Sequence, residues 1–236
     1  FPIAPEDMQG LKDLLTRVRG GEIHGLNVTI PHKQNVIPLL DELTPTAQAI
    51  GAVNTISMRN GKLVGDNTDA PGFLADLQNF LTTETRSHGE RRKALVLGAG
   101  GSARAVVYAL VHAGWDVTLS ARRPEQAQAL ASNYQLPITN LTNPPTFNLL
   151  VNTTPLGMSP NVDTSPWPEH LPFPKDAAVY DLVYNPRETK LVRDARAQGL
   201  PAKTGLGMLI EQAALAFEIW TGHRPPREVL FQQVVE

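Results

Sequence analysis

The hydrophobic pattern divides this chain into two unlike parts. In the first, Met8, Leu11, Leu14, Leu15 and Val18 recur at helical spacing within residues 6–19. Residues 23–30 read as a short strand that Pro31 ends. His32 to about Leu43 reads as a helix with Val36, Ile37, Leu39 and Leu40 inward; Pro38 should kink or shorten it by removing a backbone donor. Residues 53–58 and 62–64 flank Arg59-Asn60-Gly61, and the Asn-Gly pair predicts a tight hairpin. Residues 71–81 read as a helix with Pro71 in its first turn.

From residue 94 onward the pattern alternates. Apolar runs at 94–98, 115–120, 147–152, 177–183 and 200–203 are interleaved with helical patterns at 101–113, 124–133 and 188–198. That order predicts parallel strands with helices on both faces. The proline-rich segment 155–176 reads as an irregular loop, and helices are predicted over 205–220 and 227–235. The polar stretch 82–92 separates the two parts and reads as a hinge. The predicted organisation is a small first domain over 1–81, a second domain over 93–204 and terminal helices over 205–236. Those helices are expected to pack back on the first domain, although periodicity does not show it.

The most specific local word is Gly98-Ala99-Gly100-Gly101-Ser102-Ala103, between the apolar run 94–97 and the helical pattern that follows. A strand, a glycine turn and a helix start form an anion site, because free N–H groups point outward and the backbone can approach a pyrophosphate. Ala103 stands where the third glycine of a dinucleotide fingerprint can be Gly or Ala. At the end of the next strand, Ser120 runs into Ala121-Arg122-Arg123, and no carboxylate appears until Glu125. An acidic residue there would accept from a ribose hydroxyl of NAD, whereas arginine suits the 2′-phosphate of NADP, so NADP is favoured. The other reading of Arg122 and Arg123 is a pair of solvated surface charges.

Three polar segments of the first part end in amides, hydroxyls, a lysine and carboxylates: Asn27-Val28-Thr29-Ile30-Pro31-His32-Lys33, Gly51-Ala52-Val53-Asn54-Thr55 and Gly65-Asp66-Asn67-Thr68-Asp69. Such groups suit a polyhydroxylated small molecule, and a lysine near a carboxylate supplies proton transfer. Each has a plainer reading. Lys33 on a first helical turn can be a solvated charge, Asp69 a helix cap, and Asn54 and Asn67 partners of their own turns. Spacing does not separate these readings.

Taken in order, the words NVTIPHK (27–33), GAVNT (51–55), GDNTDAPGF (65–73), VLGAGGSARA (96–105), NTTPLGM (152–158), YDLVYNP (180–186) and GLGMLIEQAALAFEIWTG (205–222) resemble the shikimate dehydrogenase family over nearly the whole chain. The resemblance implies a two-domain α/β fold, a Rossmann-type dinucleotide-binding domain beside a smaller α/β substrate domain. It implies NADPH-dependent, reversible reduction of 3-dehydroshikimate to shikimate in aromatic amino-acid biosynthesis. Lys33 then matches the family's catalytic lysine and Asp69 its carboxylate partner. Asn27, Thr29, Asn54, Tyr184 and Gln212 match substrate-binding positions. Gly98, Ala99, Gly100, Gly101, Ser102 and Ala103 match the pyrophosphate turn, with Ser120, Arg122 and Arg123 at the 2′-phosphate. Thr153, Pro155, Gly205 and Met208 fall in segments on the nicotinamide side.

The chain departs from the family in two places. The family's Asn-Arg-Thr word is Ala121-Arg122-Arg123 here, which loses one amide and adds one charge, with NADP still expected. The family also opens with a strand and helix whose Ser-x-Ser pair binds the substrate carboxylate. This chain begins at Phe1, after that element, so its first domain is expected to be incomplete relative to a natural protein that carries it. Rival readings are an NAD-linked quinate or shikimate dehydrogenase, a folate-linked dehydrogenase of the same two-domain plan, and a non-catalytic ligand sensor of the same fold.

Composition narrows the classes. The 236 residues are 42% hydrophobic with a formal net charge of −2, enough apolar surface for a buried core and no basic block for nucleic acid. The densest basic run, Arg91-Arg92-Lys93, reads as part of a solvated linker. There is no cysteine, so disulfides and cysteine-ligated metals are excluded, and no metal is expected in the site. No apolar run approaches the ~20 residues a membrane helix needs, nor is a signal peptide visible. The expectation is a cytoplasmic monomer or homodimer acting on a small molecule, without nucleic-acid or membrane partners.

Overall fold

The structure, a computed structural model, describes residues 1–84 and 92–235. Most of the hinge predicted over 82–92, and Arg91 of the basic run, lie outside the described residues. The first part builds a four-stranded sheet in the order β1-β3-β4-β2 from β1 (Gly25–Asn27), β2 (Glu42–Leu43), β3 (Thr55–Arg59) and β4 (Lys62–Asp66). Helices α1 (Met8–Arg19), α2 (His32–Asn35), α3 (Pro45–Ile50) and α4 (Asp69–Glu84) belong to this part in sequence. Its core gathers Leu11, Leu15, Val18, Val36, Val53, Ile56 and Leu63. The β3–β4 hairpin turns where Asn60 and Gly61 both take positive φ, 51° and 78°, as the Asn-Gly pair requires.

Two elements differ from the sequence reading. The helix expected from His32 to Leu43 stops at Asn35; Pro38 sits in a 3-10 turn, Ile37–Leu39, and the chain then enters β2. The strand expected over 23–30 is only three residues long, because the N–H groups of Glu22 and Ile23 bond the Arg17 carbonyl at the end of α1. Helix α3 carried its own signal, Thr44 as N-cap, Pro45 in the first turn and Gly51 at φ 67° after the end.

The second part is a five-stranded parallel sheet ordered β6-β5-β7-β8-β9, from β5 (Lys93–Leu97), β6 (Asp116–Ser120), β7 (Leu149–Asn152), β8 (Ala178–Asp181) and β9 (Ala202–Thr204). Helices α5 (Gly101–His112), α6 (Pro124–Ser132) and α7 (Lys190–Ala197) connect it. A single parallel bridge from Leu119 to Ile138 adds a sixth position beside β6. With it the order becomes that of a doubly wound dinucleotide fold, whose switch point lies between β5 and β7. As predicted, residues 155–176 form no regular element, yet they bury Trp167 and Phe173 as a stacked pair under the sheet.

Helices α8 (Leu206–Thr221) and α9 (Arg227–Val235) follow β9, and α8 packs along α4. At its far end α8 reaches the first sheet, where Trp220 Nε1 donates to the Ile56 carbonyl at 3.0 Å. This fit needs a glycine at 25, since a Cβ there would run into the indole nitrogen and stand 2.8 Å from the Ile56 oxygen. Among the described residues no helix is long and apolar enough to cross a membrane.

Gly25→Ala should therefore lower stability by about 1–3 kcal/mol, the range for overpacking, measured as a lower urea midpoint.

Candidate active site

Lys33 lies in the first turn of α2, where the end of β1 and the turn at Pro31 carry it toward the second part. Its Nζ donates to Asp69 Oδ2 at 2.7 Å and to Ser102 Oγ at 3.3 Å, and its side chain is only 12% exposed. The lysine stem packs on the glycine turn, for a Cβ on Gly101 would stand 3.0 Å from Lys33 Cβ. The solvated-charge reading of Lys33 therefore fails.

Asp69 opens α4 but does not cap it. Asn67 does so, its Oδ1 accepting from the N–H groups of Asp69 and Ala70 at 3.1 and 3.2 Å. The Asp69 carboxylate is thereby free to turn toward the cleft. There Oδ1 accepts from Asn54 Nδ2 at 2.9 Å. The same amide nitrogen lies 2.9 Å from Thr68 Oγ1 and 3.3 Å from Gln212 Oε1, three acceptors for two protons. Asn54 Oδ1 in turn accepts from Thr68 N–H at 2.8 Å, so the asparagine is locked at both ends. Gln212 arrives on α8 because Gly72 of α4 leaves room; a Cβ there would stand 2.8 Å from the Gln212 nitrogen.

Of the substrate candidates, Asn54 and Gln212 thus join Lys33 and Asp69 in one hydrogen-bonded group. Asn27 touches its edge, with Nδ2 3.2 Å from the Asn54 carbonyl and 3.3 Å from Thr55 Oγ1. Thr29 is exposed on the turn into α2, and Tyr184 is 45% exposed beyond the C-terminal end of β8; neither bonds the Lys33 group.

Lys33 borders a cavity of about 660 Å³ that is lined also by Gly98–Ser102, Arg122, Arg123, Thr153 and Pro155. Gly98 has φ 115°, and any Cβ there would strike Thr153 Oγ1, which donates to the Leu97 carbonyl at 2.6 Å. Gly100, the N-cap of α5, offers no side-chain bond to the helix start, and a Cβ on it would meet nothing within 4 Å. The first N–H groups of α5 therefore face open space, with two exposed arginines at the far side of the same cavity. This arrangement fits the phosphates of a dinucleotide.

Four cofactor candidates stand behind that surface. Ala103 is fully buried, Ser120 accepts from Gly98 N–H at 2.8 Å through its carbonyl, Met208 packs in the core, and Gly205 lies against the Leu182 carbonyl. Arg104 also borders the cavity, its Nε buried without a partner; the sequence reading gave it no role although it directly follows the glycine word.

The comparisons with known proteins agree with this geometry. A model of the shikimate dehydrogenase substrate-binding domain matches residues 3–56, and one of the shikimate 5′-dehydrogenase C-terminal domain matches residues 205–234. The shikimate dehydrogenase (NADP(+)) of Salinibacter ruber is 42% identical over 98% of this chain and 83% of its own length. The chain belongs to the shikimate dehydrogenase family. That of Carboxydothermus hydrogenoformans is 41% identical over 96% of this chain and 80% of its own length. The shikimate 5-dehydrogenase of Thermus thermophilus, solved with NADP(H) and shikimate, superposes with a TM-score of 0.84 at 42% identity, over 94% of this chain and 81% of that one. The α/β architecture predicted from the sequence, with a dinucleotide fold beside a second sheet, is that of this family.

One buried group in this family member stands inside the word at 180–186, but the sequence reading gave it no role. Asp181, at the end of β8, accepts from Asn152 Nδ2 at 2.8 Å, from Val183 N–H at 3.0 Å and from Thr189 Oγ1 at 2.6 Å. Asn152 Oδ1 in turn accepts from Thr154 N–H at 2.8 Å, so the carboxylate fixes the loop on the cavity wall. Burial pushes its pKa up from 3.8 to about 6, against the three hydrogen bonds that lower it. Near pH 5 the folded chain therefore holds a proton that the unfolded chain has released, and raising the pH favours unfolding.

That displacement corresponds to about 3 kcal/mol. Between pH 4 and pH 7 the stability of Asp181→Asn should rise relative to the parent by up to this amount, read from urea midpoints across the range.

Proposed function

We propose that this protein catalyses the reversible reduction of 3-dehydroshikimate to shikimate with NADPH, as a step of aromatic amino-acid biosynthesis. The observation that carries the reading is the Lys33–Asp69 ion pair, buried where the polar group of the first part meets the glycine turn of the second. The named activity of relatives about 40% identical over nearly the full chain agrees with it.

The bound NADPH supplies the hydride. Lys33 Nζ gives a proton to the carbonyl oxygen of the substrate and takes it back in the reverse direction. Asp69 holds the ammonium in line and accepts from substrate hydroxyls. Asn54 and Gln212, with Asn27, Thr29 and Tyr184 around them, orient the ring through its polar edge. Gly98–Ala103 receive the pyrophosphate at the start of α5, with Ser120 behind the turn. Arg122 and Arg123 receive the 2′-phosphate. Thr153, Pro155, Gly205 and Met208 shape the nicotinamide side. In this division of labour residues 1–81 bind substrate, 93–204 bind cofactor, and 205–236 brace the first against the second. A cytoplasmic setting and a monomer or homodimer complete the reading, in keeping with a chain that holds no cysteine.

NADPH formation from shikimate and NADP⁺, run beside quinate and NAD⁺, tests this directly; turnover of quinate with NAD⁺ alone would move the assignment to the rival dehydrogenase. Lys33→Ala should lower kcat by about 10²–10⁴, the range for a lost general acid, with a much smaller change in the KM for shikimate.

Arg122→Ala should raise the KM for NADP⁺ by about ten- to a hundredfold, as expected for a lost charged hydrogen bond, and leave that for NAD⁺ near its starting value. Equal effects on both cofactors would make Arg122 a surface charge.

A further inference from the structure

A second lysine–carboxylate pair draws its carboxylate from the same helix as the first. Asp69 and Asp76 are seven residues apart on α4, two turns along one face and about 10 Å apart along the axis. Phe73 and Phe80 share that stripe and flank the buried ring of Tyr180, with centroids 5.1 and 6.3 Å away. Asp76 is 5% exposed. Its Oδ2 accepts from Tyr180 Oη at 2.5 Å and its Oδ1 from Lys203 Nζ at 2.7 Å. The Lys203 ammonium also sits 5.6 Å from the Phe80 ring centroid and 5.7 Å from that of Tyr180. Tyr180 is on β8 and Lys203 on β9, so both donors belong to the parallel sheet while the acceptor belongs to the helix that begins with Asp69. Gly207 of α8 faces Asp76 so closely that a Cβ would overlap the carboxylate.

We propose that Asp76, Lys203 and Tyr180 form a positioning cluster that sets the rotation of α4 about its axis and thereby aims Asp69 at Lys33. This deepens the reading of Lys33 and Asp69 as the proton-handling pair and rests on it. Apolar packing is non-directional and sets the rotation of a helix less sharply than oriented polar bonds do. A nearly buried carboxylate with two oriented donors, Tyr180 and the partly exposed Lys203, favours one arrangement. Because the stripe is continuous, rotation at Asp76 is rotation at Asp69. The cluster borders neither the cavity nor the polar group around Asn54, and meets the proposed nicotinamide side only where the Met208 N–H donates to Tyr180 Oη, so its loss should act on turnover more than on cofactor binding.

The test uses Lys203→Met, Lys203→Arg and, in case Lys203→Met fails to fold, the double variant Asp76→Asn/Lys203→Met, which leaves no unpaired buried charge. NADP⁺ binding counts the folded sites. The expected result for Lys203→Met and for the double variant is a kcat lowered about ten- to a hundredfold, the scale of a sub-ångström to 1 Å misplacement. The dissociation constant for NADP⁺ should stay near that of the parent. Lys203→Arg, which keeps the charge, should recover most of kcat. An independent readout needs no substrate. In the unliganded protein, acetylation of Lys33 by acetic anhydride, measured by peptide mass spectrometry against exposed Lys12, should rise several-fold once Asp69 is no longer aimed at it. Parent-like kcat per folded site, or parent-like Lys33 acetylation, in folded Lys203→Met or in the folded double variant overturns the proposal. Failure of the parent to oxidise shikimate would overturn the assigned reaction instead, and the acetylation comparison would still decide the cluster.

Discussion

The ion pair between Lys33 and Asp69 sets the terms for the rest of the molecule. Two opposite charges removed from water lose several kcal/mol of hydration each, and their attraction recovers that loss only if the remaining hydrogen-bonding capacity is met. Here it is met by neighbours from four separate segments of the chain: Ser102 beside the ammonium, Asn54 on the second carboxylate oxygen, Asn67 relieving Asp69 of capping, and Gln212 closing the group from α8. None of these contacts makes a strong case for stability. That comes from the three apolar clusters, one under the first sheet and two on the faces of the parallel sheet. The polar group instead fixes one arrangement of the two parts across the cleft.

Glycine makes that arrangement reachable. Gly72 and Gly207 let α4 and α8 approach until backbone meets side chain, Gly25 admits Trp220 to the edge of the first sheet, and Gly101 lets the Lys33 stem lie on the turn before α5. At each position a methyl group would push apart two elements that both carry site residues. The close contacts and the polar group are therefore one constraint. The helices must pack tightly for the amides and carboxylates to reach each other, and each polar bond holds the distance that a larger residue would open.

Much of this was legible in the sequence where the signal is local. The Asn-Gly pair specified the hairpin, strand and helix alternation specified the parallel sheet, and the glycine word marked the start of α5. Pro38 signalled a kinked or shortened helix after Lys33, but the pattern Val36, Ile37, Leu39 and Leu40 still looked helical because a 3-10 turn also brings these side chains to one core, Val36 fully and the other three partly buried. The roles of Asn67 and Asp69 could not be assigned from spacing, since either can cap a helix that starts at the other's neighbour. Asp76 went unread for a different reason. Its partners lie 104 and 127 positions away, and nothing in the local pattern distinguishes a buried carboxylate from a solvated one on the polar side of a helix.

The same separation of scales explains how the two ends of the site differ. In the proposed reading, Lys33, Asp69, Asn54 and Gln212 at the reacting end are already paired with one another before any ligand arrives, so that part of the geometry is preorganised. At the phosphate end Arg122 and Arg123 are exposed and Gly100 opens onto the cavity. A guanidinium is more weakly hydrated than an ammonium, and in the proposed reading a phosphate would take the place of that water. In the proposed reading, binding energy is gathered at a solvated rim and alignment at the buried Lys33–Asp69 pair. The departure from the family's Asn-Arg-Thr to Ala-Arg-Arg, expected from the resemblance, then falls on the rim. One amide is exchanged for one more positive charge, a change that in this reading would suit a 2′-phosphate more than a ribose hydroxyl.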